Sequence, residues 1–213
     1  MLALFAAGTI TLLAAGPRQR GTPGERRTAV ALAWGNLAFG VASTITALVP
    51  FSARHSLPLQ ICDLAWVFVA WALLTRAPLP LALTYYWGLT LSVQALVQPT
   101  LTEGFPHPAF FVFWGKHVLI VWGAVYLCLA LRLGPDWAAY RRAVRWTSVW
   151  LVVVLCLNPL LDANYGYVSA KPSEATVLDL LGPWPVYLVA EIAIVLAGWA
   201  LITVPWTGRR VRR

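Results

Sequence analysis

Long apolar runs alternate with short polar breaks along the whole chain, at residues 1–16, 28–50, 57–75, 78–98, 109–133, 144–162 and 184–206. Most of them reach the ~20 residues that carry a helix across a ~30 Å hydrocarbon layer. They are continuous, without the in–out alternation and ~10-residue spacing of a membrane barrel, so the predicted elements are helices. The first run is short for a span. It is read as a true first helix, with a cleaved signal peptide as the alternative, against which stands the missing basic leader.

Composition agrees with this pattern. Mean hydropathy is +0.70, with 60% apolar and 11% charged residues, against roughly 25% charged in soluble domains. The expected fold is an all-α membrane protein, a polytopic bundle of about seven transmembrane helices. Residues 1–213 form one integral membrane domain.

Charge then sets an orientation. Arg18, Arg20, Arg26, Arg27, Arg76, Arg132, Arg141, Arg142, Arg145, Arg209, Arg210, Arg212 and Arg213 fall in one set of loops. The other set holds Arg54 and Lys171, and Lys116 lies inside a span. Basic residues stay on the cytoplasmic side, which predicts N-out and C-in. The net charge of +8 is thereby explained by topology and anionic lipid. No basic, aromatic-interleaved stripe supports a nucleic-acid partner.

Polar residues inside the apolar runs are costly and mark functional candidates. In the third helix, Ser56 is a candidate cap and Pro58 suits the first turn. Cys62 then lies roughly 8 to 10 Å along the axis, at ~1.5 Å per residue. Gln60 and Asp63 flank it. Lys116 and His117 sit at a matching depth, ~10 to 12 Å into the fifth helix. Gln94 and Gln98 end the fourth helix at that face, Asn158 and Asp162 the sixth, and Glu191 lies two turns into the seventh. The cytoplasmic half offers little beyond Asn36 and Thr84.

Of three cysteines, Cys128 and Cys156 lie in plain apolar runs, whereas Cys62 has polar neighbours and a helix start nearby. A Cys and a His at one depth suit acyl transfer. The imidazole takes the thiol proton, the thiolate attacks an ester carbonyl, and the imidazolium protonates the leaving alkoxide. Lys116, Asn164, Tyr165 and Lys171 are candidate donors to the oxyanion. Lys116 is read equally as snorkelling to the interface or pairing with Glu191 or Asp162. No metal-ligand spacing occurs, so neither metal nor cofactor is expected.

Several motifs recur together. They are Ser56-Leu-Pro-Leu-Gln-Ile-Cys62, Tyr86-Trp-Gly-Leu with Gln94-Ala-Leu and Pro99, Phe105-Pro-His107 with Phe110-Phe and Lys116-His117, Asn164-Tyr-x-Tyr with Lys171-Pro, and Leu181-Gly-Pro-Trp-Pro-x-Tyr187. Over residues 56–190 this set resembles the bacterial YwaF-type integral membrane proteins. That family is similar to a vertebrate Cys-dependent acyltransferase of ether phospholipids and, more distantly, to androgen-induced lipid hydrolases. The resemblance implies acyl chemistry on membrane lipid in a bacterial cytoplasmic membrane, with Cys62 and His117 at the family's Cys and His positions. Two departures stand out: Gln60 occupies a frequent His position, and the first helix has no His.

The reading is a membrane-embedded acyltransferase or lipid hydrolase with its site open to the outer leaflet and phospholipid as partner. Gln60, Gln94, Gln98, Lys116, Asn164, Tyr165, Lys171 and Glu191 are its supporting residues. A non-enzymatic lipid-binding or lipid-moving protein fits the same polar layer. A small-solute transporter would need broken helices and polar groups across the midplane. Acyl donor, acceptor and oligomeric state are not legible in the sequence.

Overall fold

The computed structural model describes residues 1–99, 101, 103–172 and 176–208. Arg209, Arg210, Arg212 and Arg213, which contribute to the predicted charge bias, lie outside the described residues.

Seven long helices follow the seven apolar runs, and no strand occurs among the described residues. They are α1 (Leu2–Gln19), α2 (Pro23–Leu48), α3 (Ile61–Thr75), α4 (78–97), α5 (Pro108–Ala130), α6 (Trp137–Leu161) and α7 (Val186–Thr207). Four of them, α2, α5, α6 and α7, are long and apolar enough to cross a membrane, and α3 is a shorter apolar helix. Two helices widen locally into π-turns, α4 at Trp87–Leu91 and α5 at Val125–Ala130.

Helix ends follow local chemistry. α2 starts earlier than its apolar run, with Pro23 in the first turn where its missing N–H costs nothing. α6 likewise begins at Trp137, seven positions before its apolar run, because the Asp136 carboxylate accepts from the Ala139 N–H at 2.6 Å. Arg76 ends α3 in the left-handed conformation at φ 54°.

Packing centres on α2, α3 and α5, which touch pairwise, with α4 against α3 and α5, α1 against the π-turn of α5, and α6 against α4 and α7. Small residues let these helices approach, as expected where lipid supplies no hydrophobic drive to associate. A Cβ on Gly40 would lie 2.1 Å from the Trp66 ring, one on Gly115 2.2 Å from Phe39, and one on Gly123 2.4 Å from Val69. Asn36, 1% exposed, donates to the Leu119 carbonyl at 3.0 Å and so ties α2 to α5.

The end at which α3 finishes is fastened by charge and hydroxyls. The largely buried Glu25 carboxylate accepts from Arg76 and from the Gly21 N–H, while the Tyr126 hydroxyl donates to Gln19 at 2.7 Å. This half is more polar than the sequence reading allowed. Tyr86 and Thr203 share a hydrogen bond of 2.6 Å, Tyr85 donates to the Ile202 carbonyl, Trp206 donates to Tyr85, and Trp199 donates to Thr90. Tyr, Trp and Thr count as apolar in a hydropathy run yet carry polar tips that seek partners when buried.

Candidate functional site

Residues 52–60 form an irregular entry to α3, held by the opposite loop. The Tyr165 hydroxyl accepts from the Leu57 N–H at 3.0 Å and donates to the Ala53 carbonyl at 2.9 Å. The Trp150 indole donates to the Leu59 carbonyl at 2.8 Å, and the Gln60 side-chain oxygen accepts from the Gly166 N–H at 2.9 Å. Gly166 is required here: its φ is +70°, and a Cβ would stand 2.4 Å from the Trp150 ring.

This entry corrects the expected start of α3. Ser56 does not cap the helix; its hydroxyl accepts from the Ser52 N–H at 2.8 Å, four residues back. Gln60 occupies the N-cap position, and its carbonyl accepts from the Asp63 N–H at 2.9 Å. Cys62 is therefore in the first turn, about 3 Å along the axis rather than two turns in. The free N–H groups of that turn favour negative charge close to the sulfur.

Lys116, on α5, reaches this turn. Its Nζ donates to Asp63 Oδ1 at 2.9 Å and lies 3.8 Å from Cys62 Sγ, and the sulfur is 3.9 Å from the same carboxylate oxygen. The ammonium side chain is 7% exposed and the carboxylate side chain 22%. Snorkelling is thus excluded as the reading of Lys116, and its ion-pair partner is Asp63 rather than Glu191 or Asp162. Asp162 instead pairs with Arg54.

His117 is 2% exposed. Its Nδ1 lies 2.8 Å from the Phe113 carbonyl, which can only accept, so Nδ1 carries the proton. In the neutral ring Nε2 is then the basic nitrogen. The ring stacks on Phe113 at 4.4 Å between centroids. Among the described residues no hydrogen bond joins His117 to Cys62; the sulfur's polar partners are Lys116 and Asp63.

The remaining candidates divide clearly. Tyr165 is buried and its hydroxyl is committed to the loop at residues 53–57. Asn164 folds its own loop, donating to the Ala170 carbonyl at 2.7 Å and accepting from the Ser169 and Ala170 N–H groups. Asn158, buried on α6, bonds Tyr165 and Ser169. Lys171 pairs with Asp179 at 3.5 Å and lies over the Tyr187 ring at 5.6 Å. Glu191 is half-buried on α7 with no hydrogen bond or ion pair among the described residues, and Gln94 and Gln98 are exposed at the end of α4. The structure therefore brings Lys116 to Cys62 and Asp63 at the start of α3, with Gln60 as its N-cap, whereas the polar partner of His117 is the Phe113 carbonyl of its own helix.

Asp63 is the member that the sequence reading undervalued, naming it only as a flank of Cys62. Its position next to Cys62 was the available signal. Cys128 is fully buried and Cys156 exposed, and neither has a polar side chain recorded against it. No three His, Cys, Asp or Glu side chains converge as a metal set among the described residues.

Two cavities are present. A cavity of about 300 Å³ opens between the two loops beside Gln60, and one of about 440 Å³ lies at the far end among Arg76, Tyr85, Asp136 and Arg142. The larger one is remote from the Cys62 cluster, since Arg76 closes the helix that Cys62 opens.

A TMEM164 family model matches residues 1–203. The chain belongs to the TMEM164 family. The chain is 29% identical over 136 residues to an uncharacterized protein of Treponema pallidum (strain Nichols), a stretch that covers 64% of this chain and 56% of the relative. The chain thus matches little more than half the length of that relative. No solved structure matches.

Proposed function

We propose that this protein transfers or hydrolyses an acyl chain on a membrane phospholipid, with Cys62 as nucleophile and His117 as general base and acid. The observation that carries this reading is the position of Cys62. It occupies the first turn of a helix with a buried ammonium 3.8 Å from its sulfur. The helix start favours a sulfur anion, and the ammonium that also favours it is offset by the Asp63 carboxylate at 3.9 Å.

In the first half-reaction His117 Nε2 takes the thiol proton as Sγ forms a bond to the ester carbonyl carbon. The carbonyl becomes an oxyanion, the carbon–oxygen ester bond breaks, and the imidazolium returns the proton to the leaving alkoxide. The products are a Cys62 thioester and a lysolipid. In the second, a lipid hydroxyl or water attacks the thioester, gives its proton to His117, and Cys62 recovers it on leaving. Catalytic hydrogen bonds tighten on substrate binding, so the absence of a Cys62–His117 bond in the empty site is compatible with this route.

On this reading the chain makes seven spans, N-out and C-in, and Cys62 lies under the outer leaflet of a bacterial cytoplasmic membrane. Reporter fusions after residues 55 and 170 test this; cytoplasmic signal at both would overturn it. The chemistry is tested by incubating purified protein with a phospholipid carrying an isotope-labelled acyl chain. Mass spectrometry then follows lysolipid release and the mass added at Cys62. A labelled thioester at Cys62, lost in Cys62→Ala and slowed in His117→Ala, is expected. Lysolipid release that persists in Cys62→Ala would refute the proposed nucleophile.

A further inference from the structure

We infer that the cavity between the outer loops is a seat for a phosphate group, placed to hold the headgroup of a glycerophospholipid whose ester faces Cys62. This rests on the function proposed above and adds the substrate's anchoring chemistry. The cavity, about 300 Å³, is lined by Arg54, His55, Gln60, Asn164, Tyr167, Lys171 and Pro172. No carboxylate is among these residues. Cationic and neutral hydrogen-bond donors therefore surround a space that suits an anion of phosphate size.

Several of these donors remain free to bind. The Gln60 oxygen is engaged by Gly166, and among the described residues its amide N–H groups, the Tyr167 hydroxyl and the His55 ring have no hydrogen-bond partner. Arg54 pairs with Asp162, yet the two side chains are 56% and 79% exposed. Such a pair contributes little and can be exchanged for a doubly bonded phosphate. Lys171 is better fixed, by Asp179 at 3.5 Å and the Tyr187 ring, so its ammonium is already ordered at the rim.

The cavity is also joined to the reactive cluster. Gln60 lines it and is the N-cap of α3, two positions before Cys62. In a glycerophospholipid only the glycerol carbons separate the phosphate from its ester carbonyls. A phosphate among Arg54, Gln60 and Lys171 would thus leave an ester near the first turn of α3, with the acyl chains running along the helices into the apolar layer.

The test uses the full chain with Cys62→Ala, so that binding is read without chemistry. Lysophosphatidylglycerol and a monoacylglycerol of the same acyl chain differ by the phosphate-bearing headgroup. The first is expected to bind about tenfold tighter or more. Arg54→Gln with Lys171→Gln should erase that preference, and Arg54→Lys with Lys171→Arg should keep it, which separates lost charge from lost fold. Equal affinity for the two lipids, or a preference that survives the double Gln variant, would overturn the proposal. Inorganic phosphate binding as tightly as the lysolipid would overturn the headgroup assignment in favour of a free-anion site. A preference shown here together with no thioester at Cys62 would sink the acyl chemistry alone. Thioester formation without any preference would sink the phosphate seat alone.

Discussion

Cys62 stands between two opposite charges at nearly equal range, and that symmetry makes a sharp prediction. Lys116 Nζ is 3.8 Å from the sulfur and Asp63 Oδ1 is 3.9 Å from it. At an effective dielectric of ~20, each contributes about 4 kcal/mol to the energy of a sulfur anion, with opposite signs. Their sum is close to zero, so the neutral pair neither favours nor opposes the charged sulfur by much. Asp63→Asn removes the opposing charge and leaves the ammonium uncompensated. The Asp63 side chain is 22% exposed, and the freed ammonium relaxes, so about 1–2 kcal/mol should survive, or about 5- to 30-fold in rate. Lys116→Met should slow the reaction by a similar factor, because Asp63 then faces the sulfur alone. The assay is alkylation of Cys62 by iodoacetamide near neutral pH in detergent, with Cys128 and Cys156 replaced by Ala. Asp63→Asn reacting no faster than the parent while Lys116→Met reacts no slower would refute the electrostatic reasoning, showing that the two charges bind each other without acting on the sulfur.

Three further outcomes follow from the packing. Tyr165→Phe removes a hydroxyl that serves both Leu57 and Ala53; thermal unfolding should show a loss of about 1–3 kcal/mol, and a bulky maleimide should reach Cys62 faster. Gly40→Ala drives a methyl onto the Trp66 ring, where a Cβ would be 2.1 Å away; a destabilisation of about 1–3 kcal/mol is expected in the same measurement, and an unchanged melting curve would contradict the close approach of α2 and α3. Between the two ion-pair variants, Asp63→Asn should unfold at the lower temperature, since it strands an ammonium side chain that is 7% exposed, whereas Lys116→Met strands a carboxylate at 22%.

The helices were legible because a membrane span is set by length and apolarity, which are properties of the sequence alone. Their ends were less so. Ser56 and Pro58 carry the local chemistry of a helix start, yet the chain stays irregular until Gln60, and Tyr165 and Trp150 hold it by tertiary hydrogen bonds. The Cys62 neighbourhood was legible in its members and not in its pairing. Three carboxylates stood at plausible depths for Lys116, and which of them faces α5 depends on helix rotation, which hydropathy does not fix. The interlocking of glycines with Trp66, Phe39 and Trp150 was likewise invisible, since a glycine in an apolar run does not show what fills the space beside it.

The entry to α3 is tied to residues far along the chain: Leu57 to Tyr165 across 108 positions, Leu59 to Trp150 across 91, and Gln60 to Gly166 across 106. During synthesis, Cys62, Lys116 and His117 are all made before any of these partners exists. A nascent chain halted ahead of Trp150 would carry Cys62, Lys116 and His117 and none of the ties that shape the turn holding the sulfur. Maturation of the reactive turn is thus coupled to delivery of the sixth helix and the loop behind it, so chains abandoned early in insertion would remain chemically unfinished.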